Sequence, residues 1–276
     1  MAINLDAVRK ESEPVVFEYS EKDVILYALG IGASNEDIDF VYEKNLKVYP
    51  TFAVIPAFPT MAWAITKTQV NLAMLLHAGQ KITVYREIPT KGKLTTVARI
   101  TNIYDKVKSA LIVVDAETKD ESGTSLFNNT ASLFIRGAGG FGGDRGSSTT
   151  ENKPPEGKEP DFHDELVTLK DQNLIYRLSG DTNPLHVDPE FAKLAGFDRP
   201  ILHGLCTFGF VGRSILRSLC DNDTRTLKSF DVRFTGIVFP GDTIIVEGWK
   251  VNSKRYVIQA KTQGGGEVIS ATAGLK

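Results

Sequence analysis

The feature that most constrains this chain is an internal repeat. At an offset of 149 residues, Ile25-Leu26-Tyr27 in FEYSEKDVILYALGIG (17–32) faces Leu174-Ile175-Tyr176 in VTLKDQNLIYRLSGD (167–181), and Leu29 faces Leu178. LLHAGQ (75–80) resembles ILHGLC (201–206), with about twenty more residues before it in the first half. KITVYREIPTKGKLTTVARI (81–100) then matches SFDVRFTGIVFPGDTIIVEGW (229–249) as strand, Pro/Gly turn and strand. Each half reads as a short strand, a helix, loops, a second helix and antiparallel strands. A helix wrapped by an antiparallel sheet, made twice, is an α+β layout. Pairing the halves into one sheet would hide edge strands.

Residues 1–140 and 161–276 are the two expected units, with 141–160 as a flexible linker rich in Gly, Ser, Thr and Pro. Gly137, Gly139 and Gly142 spell G-x-G-x-x-G after the strand-like ASLFI. A dinucleotide site needs a helix directly afterwards, and DRGSSTTENKPPEGKEP cannot form one. The segment GLCTFGFVGRSILRSL (204–219) is apolar almost all round and is predicted to be a buried helix.

Composition excludes several classes. With 32 basic and 34 acidic residues, the net charge of −2 gives no overall attraction for nucleic acid or anionic lipid. No apolar run reaches membrane-spanning length. Two cysteines, Cys206 and Cys220, fit neither a disulfide scaffold nor a zinc site, and imply a reducing compartment. Both are expected buried and inert. The four histidines, 77, 163, 186 and 203, lack metal-ligand spacing, so no metal is expected; His163 reads as solvated. Ser214 lies inside the predicted helix, not on a nucleophile elbow.

The repeat also separates scaffold from chemistry. LSGDTNPLHVDP (178–189) carries Asp181 opposite Gly32 and His186 opposite Asp37, so only the second half has this polar run. Asp188-Pro189-Glu190 is a helix start, with Asp as N-cap and Pro at the first position; Gly196 can end that helix. Pro184 stiffens the turn. Asp181 and His186 serve none of these purposes and are candidate catalytic groups. His203-Gly204 falls where an extended segment enters the buried helix, so its amides could bind developing negative charge. His203 itself reads as a hydrogen-bonded structural histidine.

YRLSGDTNPLHVDPEFAKLAGFDRPILHGLCTFGF (176–210) resembles the hydratase 2 motif of the MaoC-like family, and LYALGIGA, PTFAVI, LLHAGQ and FIRGAGGFGG extend the likeness through the first half. The resemblance implies a double hot-dog fold and reversible hydration of trans-2-enoyl-CoA to (3R)-hydroxyacyl-CoA in fatty acid β-oxidation, without a cofactor. It implies that Asp181 and His186 hold and activate water, that Asn183 arranges the site, and that Gly204 N–H binds the thioester oxygen. Substrate contacts fall on His77, Ala78, Lys106 and Phe234; Ala78 stands where the family usually has Gly. The first half is implied to be non-catalytic and to accommodate the acyl chain, with Gly32 consistent with open space there.

Thioester hydrolysis and non-catalytic acyl-CoA binding are the alternative readings. Lys193, Arg199 and Arg213 are further candidates for CoA phosphates by proximity alone. The resemblance implies peroxisomal location, fusion to or excision from a multifunctional β-oxidation enzyme, and compatibility with a homodimer. The C-terminal Gly274-Leu275-Lys276 is not a Ser-Lys-Leu address.

Overall fold

The structure, a computed structural model, describes residues 3–146 and 152–276. The first half contributes β1 (Val15–Tyr19), α1 (Glu21–Gly30), α2 (Ile38–Val41), α3 (Val54–Ala57), α4 (Pro59–Thr68), β2 (Leu75–Val84), β3 (Gly92–Asp105), β4 (Ser109–Lys119) and β5 (Ser125–Arg136). The second contributes β6 (Phe162–Val167), α5 (Gln172–Tyr176), α6 (Pro189–Leu194), α7 (Gly204–Cys220), β7 (Leu227–Phe234), β8 (Thr243–Asn252), β9 (Arg255–Thr262) and β10 (Glu267–Leu275). All ten strands form one sheet, ordered β1-β3-β4-β5-β2-β7-β10-β9-β8-β6, with antiparallel pairing throughout.

That order is its own mirror image about the β2–β7 seam, where Gly79 to Thr83 pair with Arg233 to Ser229. The alternating segments read as strands are strands because one face of each is buried: β8 alternates Ile244, Val246 and Gly248 inward with half-buried neighbours. Among the described residues, only β1 and β6 remain as edges. Pro240-Gly241-Asp242 and Gly264-Gly265-Gly266 turn the chain before β8 and between β9 and β10.

The repeat needs one correction. LLHAGQ lies in β2, whereas ILHGLC crosses into α7, so His77 and His203 are not counterparts. The structural partner of Pro200–Gly204 is Pro50–Val54, since each leads into the helical segment against the sheet. The offset is then close to 150 throughout (200 − 50), and the surplus of about twenty residues disappears. A Leu-His match is too short to outweigh the periodicity on its C-terminal side: strand alternation after His77, an all-round apolar run after His203.

Helix α7 is the central packing element. Thirteen of its residues are buried, including Phe208, Phe210, Val211, Ile215 and Leu216. It lies close to the first half: a Cβ on Gly209 would come within 2.2 Å of Ile31 Cγ2. Gly32 adopts φ +78°, and a Cβ there would meet the Phe210 ring at 2.4 Å. The space opposite Asp181 is thus filled by Phe210, and Gly32 gives no support to an open acyl pocket at that point. Arg213 of α7 crosses to Asp37 with Nη1–Oδ2 of 3.0 Å, both side chains buried. Arg213 is therefore structural, contrary to its reading as a phosphate-binding candidate.

In 141–160, the described residues form neither helix nor strand; residues 147–151 of the expected linker lie outside the described residues. Its flanks are tied down. Asp105 N–H donates to Asp144 O at 2.8 Å, and Trp249 Nε1–H to Lys158 O at 2.8 Å. The glycine-rich loop does hold an anion, but the protein's own. Gly140 N–H and Gly142 N–H donate to Asp105 Oδ1 (2.9 Å) and Oδ2 (2.7 Å). The Gly140 amide is foremost in holding that carboxyl below its ordinary pKa.

Candidate active site

The site begins where α5 runs into a tight turn, Arg177–Ser179, and then reverses at Gly180. Asn183 N–H donates to Asp181 Oδ1 at 3.2 Å, and Asn183 Oδ1 accepts from Leu185 N–H at 3.1 Å. Pro184 heads the short 3₁₀ turn Pro184–His186. This turn swings His186 inward, where its carbonyl accepts from Asn173 Nδ2 at 2.6 Å. Asn183 thus shapes the turn, and its own side chain faces solvent. As expected, Asp188 caps α6, accepting from Glu190 N–H at 2.8 Å.

His186 is 7% exposed, and its Nδ1 lies 2.9 Å from Ile201 O. A carbonyl only accepts, so Nδ1 carries the hydrogen and Nε2 presents a lone pair. His203 Nε2–H donates to the Asp181 backbone carbonyl at 3.1 Å. The two imidazoles stack with centroids 3.8 Å apart and planes at 27°. Tyr176 packs against His203 with centroids 5.0 Å apart and planes at 52°. One nitrogen of each histidine and a carboxylate oxygen of Asp181 lie within 4.8 Å of one another. Such donors could hold a divalent metal. Stacked rings, however, direct their in-plane lone pairs side by side rather than onto one point.

Gly204 opens α7, and its N–H has no protein partner among the described residues. The Phe234 ring lies 3.5 Å from where a Gly204 Cβ would be, and His77 meets Phe234 edge-on at 5.3 Å. Gly204, Phe234 and His77 are therefore contiguous. His77 reaches this position through a β-bulge: it pairs with Leu133 while Gly79 pairs with Ser132, leaving Ala78 as the extra residue. Lys106 is more remote. It follows β3, three strand spacings or about 14 Å across the sheet from β2. Its Nζ donates to Arg145 O and sits 5.6 Å from the Tyr104 ring centroid.

Burial sets the titration of the cluster. It raises the Asp181 carboxyl, with His186 acting in opposition. It lowers His186, against the Ile201 hydrogen bond and Asp181. Burial, aided by His186, holds His203 down at about 3. His77, whose Nε2 is buried without a partner, is lowered to about 4, again by burial. An imidazole lowered on folding stabilises the fold above its unfolded pKa of 6.5, and that contribution is lost as pH falls toward 4. His77→Gln is accordingly expected to flatten the decline in urea midpoint between about pH 6.5 and 4.5. An unchanged slope would show that the His77 ring is hydrated.

The remaining candidates separate cleanly. Lys193 pairs with Glu190 at 3.2 Å on the surface, and Arg199 lies over Phe239 at 4.6 Å. His163 sits on β6 beside Glu165 (3.3 Å) and Glu247 (3.7 Å), so it is partnered rather than merely solvated. Cys206 and Cys220 are buried, and burial pushes the Cys220 thiol up to about 12. Sequence reasoning underweights His203: it is hydrogen-bonded as expected, but to Asp181 itself and against His186. Its place beside Gly204, at the mouth of a buried helix, is the available signal.

Ten antiparallel strands carrying two helical layers in mirror arrangement are a double hot-dog fold of the MaoC-like class. Residues 17–137 match the family described as MFE-2 hydratase 2 N-terminal domain, and residues 151–272 the MaoC like domain. The chain belongs to the enoyl-CoA hydratase 2 family of MaoC-like proteins. It is 42% identical over 272 residues to "Probable enoyl-CoA hydratase 2" of Dictyostelium discoideum, covering 95% of this chain and 92% of that one. The MaoC-like dehydratase of Phytophthora capsici superposes with TM-score 0.90 at 31% identity, over 99% and 98% of the two chains. The full-length peroxisomal multifunctional enzyme type 2 of Drosophila melanogaster gives TM-score 0.83 at 38% identity. That match takes in 95% of this chain but only 48% of the fly enzyme, so this chain spans about half of it. Among the described residues, no helix is long and apolar enough to cross a membrane.

Proposed function

We propose that this protein catalyses the reversible hydration of trans-2-enoyl-CoA to (3R)-hydroxyacyl-CoA. The observation that carries the reading is the meeting of a half-buried Asp and a buried His with a free helix-start amide: Asp181, His186 and, through His203, Gly204. His186 Nε2 is the acceptor for a proton of the attacking water, because Nδ1–H is committed to Ile201 O. Asp181, with its carboxyl raised by burial, orients the same water and can exchange that proton. The water oxygen bonds to C3, the C2=C3 electrons move toward the thioester, and the oxygen there gains charge. Gly204 N–H donates to that oxygen, an interaction that strengthens toward the transition state. The proton returned to C2 completes the addition of one H and one OH.

Phe234 and His77 form the wall beside Gly204 and would bound the acyl end of the substrate, while Lys106 would contact the CoA end. The cavity under α4, lined by Val54, Ala57, Met61, Gln80 and Asn129, has room for about one water, so accommodation of the acyl chain by the first half would require this wall to open. The fly relative's name supports a peroxisomal setting, as one half of a larger enzyme or as a separate one, and the hydration itself fits a step of fatty acid β-oxidation. Crotonyl- and decenoyl-CoA are expected to lose enoyl absorbance, with chiral analysis returning the (3R) product. Release of free CoA thiol without hydration would instead establish a thioesterase, and tight binding without turnover a carrier.

A further inference from the structure

We propose that His203 is the positioning residue of this site: its Nε2–H holds the Asp181 main chain and its ring backs His186, so that carboxylate and imidazole keep one water between them. The inference rests on the hydratase reading of Asp181 and His186 and goes beyond it, since those two groups could face substrate without any third.

Three contacts converge on His203, and each constrains a different degree of freedom. Asp181 follows Gly180, whose φ of +129° leaves the preceding backbone with little intrinsic preference. No helix or strand includes Asp181. Its carbonyl is held by the 3.1 Å bond from His203 Nε2–H. His186 is fixed at one edge by Nδ1–H to Ile201 O, a single bond about which the ring could still rock. The His203 ring, 3.8 Å away and only 27° from parallel, closes off that motion on one face. His203 is held in turn by Tyr176 at 5.0 Å and by its position just before α7, where it is 1% exposed.

The same residue directly precedes Gly204. One backbone unit therefore carries both the support for the Asp–His pair and the amide placed for the thioester oxygen. A displacement of the pair relative to that amide by about 1 Å is enough to cost two orders of magnitude in rate. The groups that face His203 are Asp181, His186, Arg177 and Tyr176. His203 stays neutral beside them, so it does not compete with His186 for the working proton. Its Nδ1 is buried without a protein partner, so the ring is held from one nitrogen only.

Two substitutions divide the role. His203→Phe keeps a ring against His186 and removes the N–H; His203→Gln keeps an N–H donor of similar reach and removes the ring. Wild type is assayed first, and absence of hydration there would end the underlying functional reading rather than this one. With wild type active, His203→Phe is expected to lower kcat about 10- to 100-fold with KM within about twofold, and His203→Gln to recover at least part of that loss. The second readout needs no activity. In NMR titrations of the intact protein, His186 in His203→Gln, which lacks the backing ring, should lose its single Nδ1–H tautomer and titrate closer to an ordinary histidine. Wild-type kcat in His203→Phe, or an unaltered His186 tautomer and titration in both folded variants, would overturn the proposal.

Discussion

Asp181→Asn is expected to lower kcat for enoyl-CoA hydration by about 100- to 10,000-fold, the range for removing a positioned acid–base group. The substitution keeps an oxygen for Asn183 N–H and changes little in shape. Its effect on stability should run the other way. The Asp181 pKa is raised by burial, so the stability tied to its neutral form is present at acid pH and lost as pH rises through the folded pKa. At neutral pH the ionised carboxylate is thus unfavourable, and Asn relieves it. A variant nearly inactive yet at least as heat-resistant as wild type is the expected pair of results. His186→Ala should fall to a similar rate, and the double variant little further, because the two groups act on one water. Activity within about threefold of wild type in Asp181→Asn would remove Asp181 from the chemistry.

Arg213→Met should be the most destabilising change outside the site, at about 3–5 kcal/mol, because it leaves a buried carboxylate without its cation. Asp37 is held by Arg213 Nη1 at 3.0 Å, by Tyr49 OH at 3.2 Å and by Ser34 N–H at 3.1 Å. The hydroxyl and amide cannot replace a full charge. The double variant Arg213→Met/Asp37→Leu should regain most of the loss, since replacing both members of a buried pair with apolar groups is often neutral. Urea unfolding of the two variants against wild type measures both effects. A loss under about 1 kcal/mol in Arg213→Met would mean that water reaches Asp37. The pair also pins α7 to the first half, nine residues or about 13 Å along the helix from Gly204. Rates measured in mild urea should therefore decline before the bulk of the structure unfolds.

Asp37 illustrates where sequence reasoning stops. In the sequence it is visible as the first-half counterpart of His186, a polar residue without assigned purpose. Its partner lies 176 positions away. No local pattern links Asp37 to Arg213, which from the sequence is equally consistent with a phosphate contact. Gly32 is a similar case: the missing side chain suggests open space, and packing of Phe210 fills it. The Leu-His resemblance between the halves misleads for a related reason, since three or four residues carry less structural information than the periodicity of the next ten.

By itself the sequence determined the duplication, the alternating strands, the buried helix from Gly204 and the helix start at Asp188. These depend on periodicity and capping, which are properties of neighbouring residues. It also singled out Asp181 and His186, because one half has them and the other does not. Only the tertiary structure decided that the halves share one sheet through β2 and β7, and that Phe234 and His77 come to lie beside Gly204. Only there does His203 hold the Asp181 main chain and back the His186 imidazole. Those contacts are made across tens to hundreds of residues, and hydrogen bonding and packing select them only once the chain has closed on itself.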